Sequence, residues 1–240
     1  MTSTYTLRDQ ERMARAKNYF AWQGRLVTPE LGRRVIELGC GIGNFTGTLL
    51  DRDLVIALDI DPNCTERLAE RYRNRRNLHT VTCDAGNYAF SDLARFHPDS
   101  CVCLNVLEHI EDDRAAIAGM ASVLTPGGVI ALLLPAFPSL FGPIDENLGH
   151  HRRYTRHSIS TLAAAAGLRV KKAHYMNLCG CFGWWANARI FRREAQSEGQ
   201  IEFFDRYVVP ILSRIEGVFP PPFGQSLFVV LEKPQPAGRS

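Results

Sequence analysis

The run Val35-Ile36-Glu37-Leu38-Gly39-Cys40-Gly41-Ile42-Gly43-Asn44 limits the folds open to this chain more than any other stretch. Val35, Ile36 and Leu38 make a short apolar strand that ends in three glycines spaced two apart. A helical pattern over residues 44–51 follows directly. Glycines at such a turn remove the Cβ atoms that would hold a ligand away from the backbone, so the segment reads as a nucleotide-type pocket at a strand-to-helix junction. The spacing is Gly-x-Gly-x-Gly. The dinucleotide form needs glycine or alanine at position 44, where Asn44 stands, and a nicotinamide cofactor is therefore disfavoured.

Periodicity along the chain supports an α/β organisation. A helix over about 9–25 carries Met13, Ala16, Tyr19 and Phe20 at helical spacing. Strand signals recur at 34–38, 54–58, 78–82, 100–104 and 128–134, with helical patterns near 44–51, 62–74, 111–123 and 157–166. Strands alternating with helices imply right-handed crossovers and a parallel sheet covered on both faces. At 240 residues the chain suits one sizeable domain with an added lobe rather than two cores.

Several positions on this framework resemble class I S-adenosylmethionine (SAM)-dependent methyltransferases: Glu37 two positions before the glycine triplet, Asp59, Asp84, Asn105, and the Pro126-Gly127-Gly128 turn. The resemblance covers residues 30–177 and the last strand. It implies a three-layer Rossmann-like fold, with a mostly parallel seven-stranded sheet whose last strand, 225–232, inserts antiparallel between the fifth and sixth. Ala163–Gly167 would end the last core helix, and Leu168-Arg169-Val170 would open the sixth strand. The whole chain is then a single methyltransferase domain: an N-terminal cap helix (1–28), a SAM-binding core (30–177), a helical insertion (178–222) and the last strand. The cofactor implied is SAM, leaving S-adenosylhomocysteine as product.

On this resemblance the cofactor contacts are Glu37, Gly39, Cys40, Gly41, Gly43 and Asn44 in the loop. Asp59, with its neighbour Ile60, would take the ribose hydroxyls; Asp61 is the rival, but Pro62 after it suits an N-cap. Asp84 would accept from the adenine amino group and Ala85 would offer a backbone amide. Asn105, Val106 and Leu107 would run beside the methionine end. In some relatives an E-x-x-E-H version of the segment after the fourth strand binds a divalent metal. Here Asn105 removes one ligand, and no metal is expected; Glu108, His109 and a histidine from elsewhere are the set that could still form one. The favoured role of His109 is to face the pocket floor.

Methyl transfer is an in-line displacement at an already activated carbon, so the protein must align a nucleophile and, where needed, accept its proton. The run Asp145-Glu146-Asn147-Leu148-Gly149-His150-His151-Arg152-Arg153-Tyr154-Thr155 follows the fifth strand. His150 and His151 are the candidate bases, with Tyr154 third. Asp145 pairs with Arg152 or Arg153 to hold the loop, or an arginine facing the pocket binds an anionic group of the substrate.

The insertion carries Phe182, Trp184, Trp185, Phe191, Phe203, Phe204, Tyr207 and Phe219. Its helices should break near Gly199 and Pro210 and stop at Pro220-Pro221-Pro222. It suits a lid, a static cap, a homodimer contact or a peripheral membrane contact. As a lid, Trp184 and Trp185 would close over a small-molecule substrate together with Tyr19 and Trp22 of the N-terminal helix. The expected activity is O-methylation, with N- or C-methylation, or a non-catalytic binding protein, as the alternatives.

A net charge of +3 does not call for nucleic acid, and Arg71, Arg73, Arg75 and Arg76 read as the solvated end of a helix. Seven cysteines with no C-x-x-C pair argue for reduced thiols and a cytoplasmic location. Cys101 and Cys103 would share one face of a strand as core residues. Residues 1–20 are too polar for a signal peptide, and no apolar run reaches membrane-helix length.

Overall fold

The computed structural model describes residues 10–86, 90–190 and 198–236; Phe191 and residues 1–9 of the cap lie outside them. In chain order the elements are α1 (Lys17–Val27), β1 (Arg34–Leu38), β2 (Leu54–Asp59), α2 (Pro62–Arg71), β3 (Leu78–Thr82), β4 (Ser100–Leu104), α3 (Asp113–Val123) and β5 (Val129–Pro135). There follow α4 (Pro143–Leu148), α5 (Arg156–Ala165), β6 (Arg169–Met176), α6 (Leu178–Arg189), α7 (Glu198–Phe203), α8 (Val209–Val218) and β7 (Ser226–Glu232). The strands form one sheet in the order β3-β2-β1-β4-β5-β7-β6. β7 runs antiparallel to both its neighbours, and the remaining pairs are parallel.

Alternation along the central strands builds a core on each face of the sheet. Ile36, Leu38, Ile56, Leu58, Cys101, Cys103, Ile130 and Leu132 pack on one side with Ile117 and Met120 of α3 and Ile159 and Leu162 of α5. The two cysteines therefore sit in the core. Val35, Val55, Val102, Ala131, Leu133 and Phe228 pack on the other side with Trp22 of α1 and Val209 and Leu212 of α8. The insertion thus helps to close the second layer.

The structure differs from the sequence reading in three elements. The first helix is broken: residues 10–13 form one turn, and α1 starts at Lys17. Ala16 offers no capping side chain, and the free amides of Asn18 and Tyr19 donate instead to Asp205 of the insertion, at 3.2 and 2.8 Å. Residues 44–51 hold only a 3-10 turn, Thr46–Leu49. The sequence Thr46-Gly47-Thr48 favours helix poorly, while Phe45 and Leu49 are anchored in the core. The break expected near Gly199 falls against residues 191–197, outside the described residues, and Pro210 does not break a helix. Gly199 lies in the first turn of α7, and the chain passes from α7 through a π-helical segment, Phe204–Val208, into α8. Pro210 occupies the first turn of α8, where proline is tolerated. α8 does end before Pro220.

Candidate active site

The glycine loop is pinned to the end of β2. Gly39 and Cys40 amides donate to the Leu58 carbonyl at 2.8 and 2.9 Å, and the Gly41 amide donates to Asp59 Oδ2 at 2.7 Å. Gly39 has φ +73° and Gly41 +53°, conformations that disfavour a Cβ. A Cβ on Gly39 would also strike the Val106 side chain, and one on Gly41 the side chain of Gln10. Asp59 is buried and also accepts from the Asp61 amide at 3.0 Å; burial raises its pKa. Asp61 caps α2 through the Asn63 amide, as the sequence suggested. Burial, with the Asp59 charge nearby, pushes the Glu37 carboxyl up to about 8.

A cavity of about 1490 Å³ opens along the carboxyl ends of β1, β2, β4 and β5. It exceeds the roughly 300–1,000 Å³ of a single small-molecule site and has space for a cofactor and an acceptor together. Glu37, Gly39, Cys40, Gly41, Asn44, Asp59, Asp84, Ala85, Asn105 and Val106 line it, with Ile60, 67 % exposed, at its mouth. Two expected contacts do not reach it. Gly43 faces Leu68, and Leu107 is fully buried in the core beneath. Gln10 was missed: its side chain accepts from the Ile42 amide at 2.8 Å and its carbonyl accepts from Asn44 Nδ2 at 3.0 Å, closing the glycine loop. No sequence signal ties position 10 to position 42.

At the far end of the same cavity, Glu108, His109 and His150 converge. One ligand atom from each lies within 4.8 Å of the others. His150 Nδ1 is 2.8 Å from Asp145 Oδ1, and Nε2 is 4.0 Å from Glu108 Oε1. Asp145 and Glu108 are fully buried. Burial alone would raise the Asp145 carboxyl, but the His150 hydrogen bond and the Arg153 charge hold it below the ordinary range. Burial carries Glu108 up to about 8, and neither of its carboxylate oxygens has a hydrogen-bond partner among the described residues. Burial and the neighbouring His150 push His109 down to about 4, so it is neutral; the two imidazoles meet edge to face at 4.7 Å.

The rest of the loop is structural. Arg153 Nε donates to Asp145 at 2.8 Å and Nη1 to the Ala136 carbonyl at 3.1 Å, and its guanidinium lies 4.6 Å from the centre of the Trp184 ring. Arg152 turns away from the cavity to Asp113 and to the carbonyls of Ile110 and Glu111. Tyr154 is buried, and its hydroxyl donates to Asp113 at 3.0 Å; burial raises its pKa and the cavity does not touch it. Neither is therefore placed to meet a substrate. Trp22 is a core residue and Trp185 faces outward at 49 % exposure, whereas Tyr19, His151 and Trp184 do line the cavity.

The strand order, the single antiparallel strand and the glycine loop at the carboxyl edge define a class I, Rossmann-like methyltransferase fold. Residues 36–130 match the model of a methyltransferase domain family. That match spans under half of the chain, and the fold around it is that of the class I, SAM-dependent methyltransferases. It is 34% identical over 111 residues to an uncharacterized methyltransferase of Mycobacterium tuberculosis, covering 44% of this chain and 52% of that one. A ubiquinone biosynthesis O-methyltransferase of Xanthomonas campestris is 32% identical over 105 residues, 42% of each chain. The chain spans about half the length of the curated relatives it matches. Among solved structures, N-methyltransferase NodS from Bradyrhizobium japonicum, in complex with S-adenosylhomocysteine, aligns with TM-score 0.57 at 16% identity over 87% of this chain and 82% of that one. A putative methyltransferase from Haloferax volcanii, in complex with the Trm112 activator, aligns with TM-score 0.64 at 16% identity over 98% and 97%. Likeness at that identity shows the fold.

Proposed function

We propose that this protein transfers a methyl group from SAM to an oxygen of a small-molecule acceptor, with His150 as the base. The observation that carries this reading is one cavity holding both the glycine loop with Asp59 and Asp84 and the Asp145-held His150. Each carboxylate oxygen of Asp59 has lone pairs left after accepting one backbone amide, so a ribose diol can be bound without releasing the loop. Asp84 and Ala85 suit the adenine edge, and the backbone around Gly39 and Asn105 the methionine end. The cofactor supplies a methyl carbon already activated by its sulfonium. Asp145 fixes His150 with its proton on Nδ1, leaving the Nε2 lone pair to take the acceptor's proton. With Glu108 protonated below about pH 8, no ion pair holds Nε2. Tyr19, Phe20 and Trp184 wall the space and exclude water. The likeness to an O-methyltransferase supports oxygen as the methylated atom.

A second reading of the same cluster rests on the orphaned Glu108 oxygens. Glu108, His109 and His150 form a carboxylate and two-imidazole donor set that fits a divalent ion such as zinc or manganese, with Asp145 orienting His150 behind it. Such an ion would polarise the acceptor oxygen, and Nε2 would then be a ligand.

The test is mass spectrometry of a host extract incubated with the protein and deuterated-methyl SAM. A labelled metabolite is expected, lost with His150→Ala while S-adenosylhomocysteine still binds. Labelling insensitive to that substitution refutes the role of His150, and no labelled product refutes the activity. Labelling abolished by a chelator and restored by zinc or manganese selects the second reading.

A further inference from the structure

The helix that runs from α7 through the π segment into α8 has an apolar outer face. Phe203, Tyr207, Ile211, Ile215, Val218 and Phe219 are between 53 and 73 % exposed. Their spacing of about four residues is slightly longer than an α-helical turn and slightly shorter than a π-helical one. The π segment Phe204–Val208 therefore rotates the first residues back into line with the later ones, and the six form one ridge. The inner face is committed to the protein: Val209 and Leu212 pack beside Trp22 in the second core layer.

The acidic side chains of this helix are all engaged. Glu198 and Glu202 pair with Arg15. Asp205 caps α1 through the Asn18 and Tyr19 amides, and Glu216 accepts the Asn177 and Leu178 amides at 2.8 and 2.9 Å. Arg206 and Arg214 remain exposed beside the ridge, and no described acidic side chain pairs with either. The Arg206 guanidinium lies 5.4 Å from the centre of the Tyr207 ring, a cation–π contact. An apolar ridge flanked by exposed arginines, on a helix whose acidic side chains are each already paired or bonded to backbone amides, matches an interfacial helix.

We infer that this helix docks the protein on an anionic membrane surface, with Phe203 to Phe219 in the acyl boundary and Arg206 and Arg214 at the headgroups. Phe203 also lines the mouth of the cavity, so docking brings that mouth to the lipid surface. The inference rests on the helix alone and is independent of the methyl-transfer reading.

The test is flotation of the full chain with vesicles of phosphatidylcholine alone and of equal parts phosphatidylcholine and phosphatidylglycerol. The protein should float with the anionic vesicles, less so as salt rises. R206Q/R214Q should lower the partition coefficient roughly 30-fold at low salt, from about 1 kcal/mol for each arginine at the surface. I211D/I215D should lower it by about a hundredfold or more. Both variants alter exposed positions, and unchanged melting curves will show that they fold. Protein left in the aqueous fraction with anionic vesicles, or binding indifferent to both variants, overturns the inference. So does sedimentation velocity showing a dimer that I211D/I215D dissolves, since the ridge would then be covered by a second copy.

Discussion

Glu108→Gln should make the protein more stable at neutral pH, and the gain should grow with pH. The carboxyl is fully buried, with no hydrogen-bond partner on either oxygen among the described residues. Burial carries it from an ordinary 4.5 to about 8. The folded protein therefore holds this proton more tightly than the unfolded chain. Its contribution to stability is complete below pH 4.5 and is lost as pH rises through about 8. At about 1.4 kcal/mol per pH unit, the loss is on the order of 3 kcal/mol at pH 7 and approaches 5 kcal/mol above pH 8. Glutamine has the same shape and no charge to lose, so it escapes this penalty. Urea unfolding of both proteins between pH 4 and 8, in chelator, is the assay. The two should agree within error near pH 4 and separate steadily above pH 5. Parallel profiles would refute the reasoning. Adding zinc at pH 7 should then stabilise the wild type and leave the variant unchanged if the cluster holds a metal.

Two further substitutions separate the roles of neighbouring residues. Gly39→Ala forces a Cβ into Val106 at φ +73°, and should cost on the order of 2–4 kcal/mol in chemical unfolding and abolish S-adenosylhomocysteine binding in calorimetry. Tyr154→Phe removes the hydroxyl that bonds Asp113, and should cost about 1–2 kcal/mol of stability. Single-turnover methyl transfer at saturating acceptor should stay within about twofold of wild type in that variant, where His150→Ala should abolish it.

The sheet and the residues around the glycine loop were legible because short-range order fixes them. A strand followed by glycines must turn where it does, and Asp59 and Asp84 sit at strand ends by count alone. The acceptor half was legible as a loop but not in its side-chain directions. Arg152 and Tyr154 were drawn away from the cavity by Asp113, and Arg153 was held by Asp145. The Asp145–Arg153 pair lies within the loop and was among the pairings the sequence offered, whereas Asp113 is 41 residues from Tyr154, beyond the reach of local pattern. The broken first helix has the same origin, since Asp205, which caps α1, lies 187 residues from Asn18. Trp22 and Trp185 exchanged their expected surroundings for core and solvent because aromatic content alone does not state which helix face a sheet will cover.

The central claim, that the glycine loop with Asp59 and Asp84 binds SAM, is tested most directly by isothermal calorimetry with S-adenosylhomocysteine. Binding at one site per chain is predicted, weakened on the order of tenfold to a hundredfold by Asp59→Ala as the charge-assisted hydrogen bonds are lost. No heat at millimolar ligand, or an affinity that Asp59→Ala leaves unchanged, would contradict it.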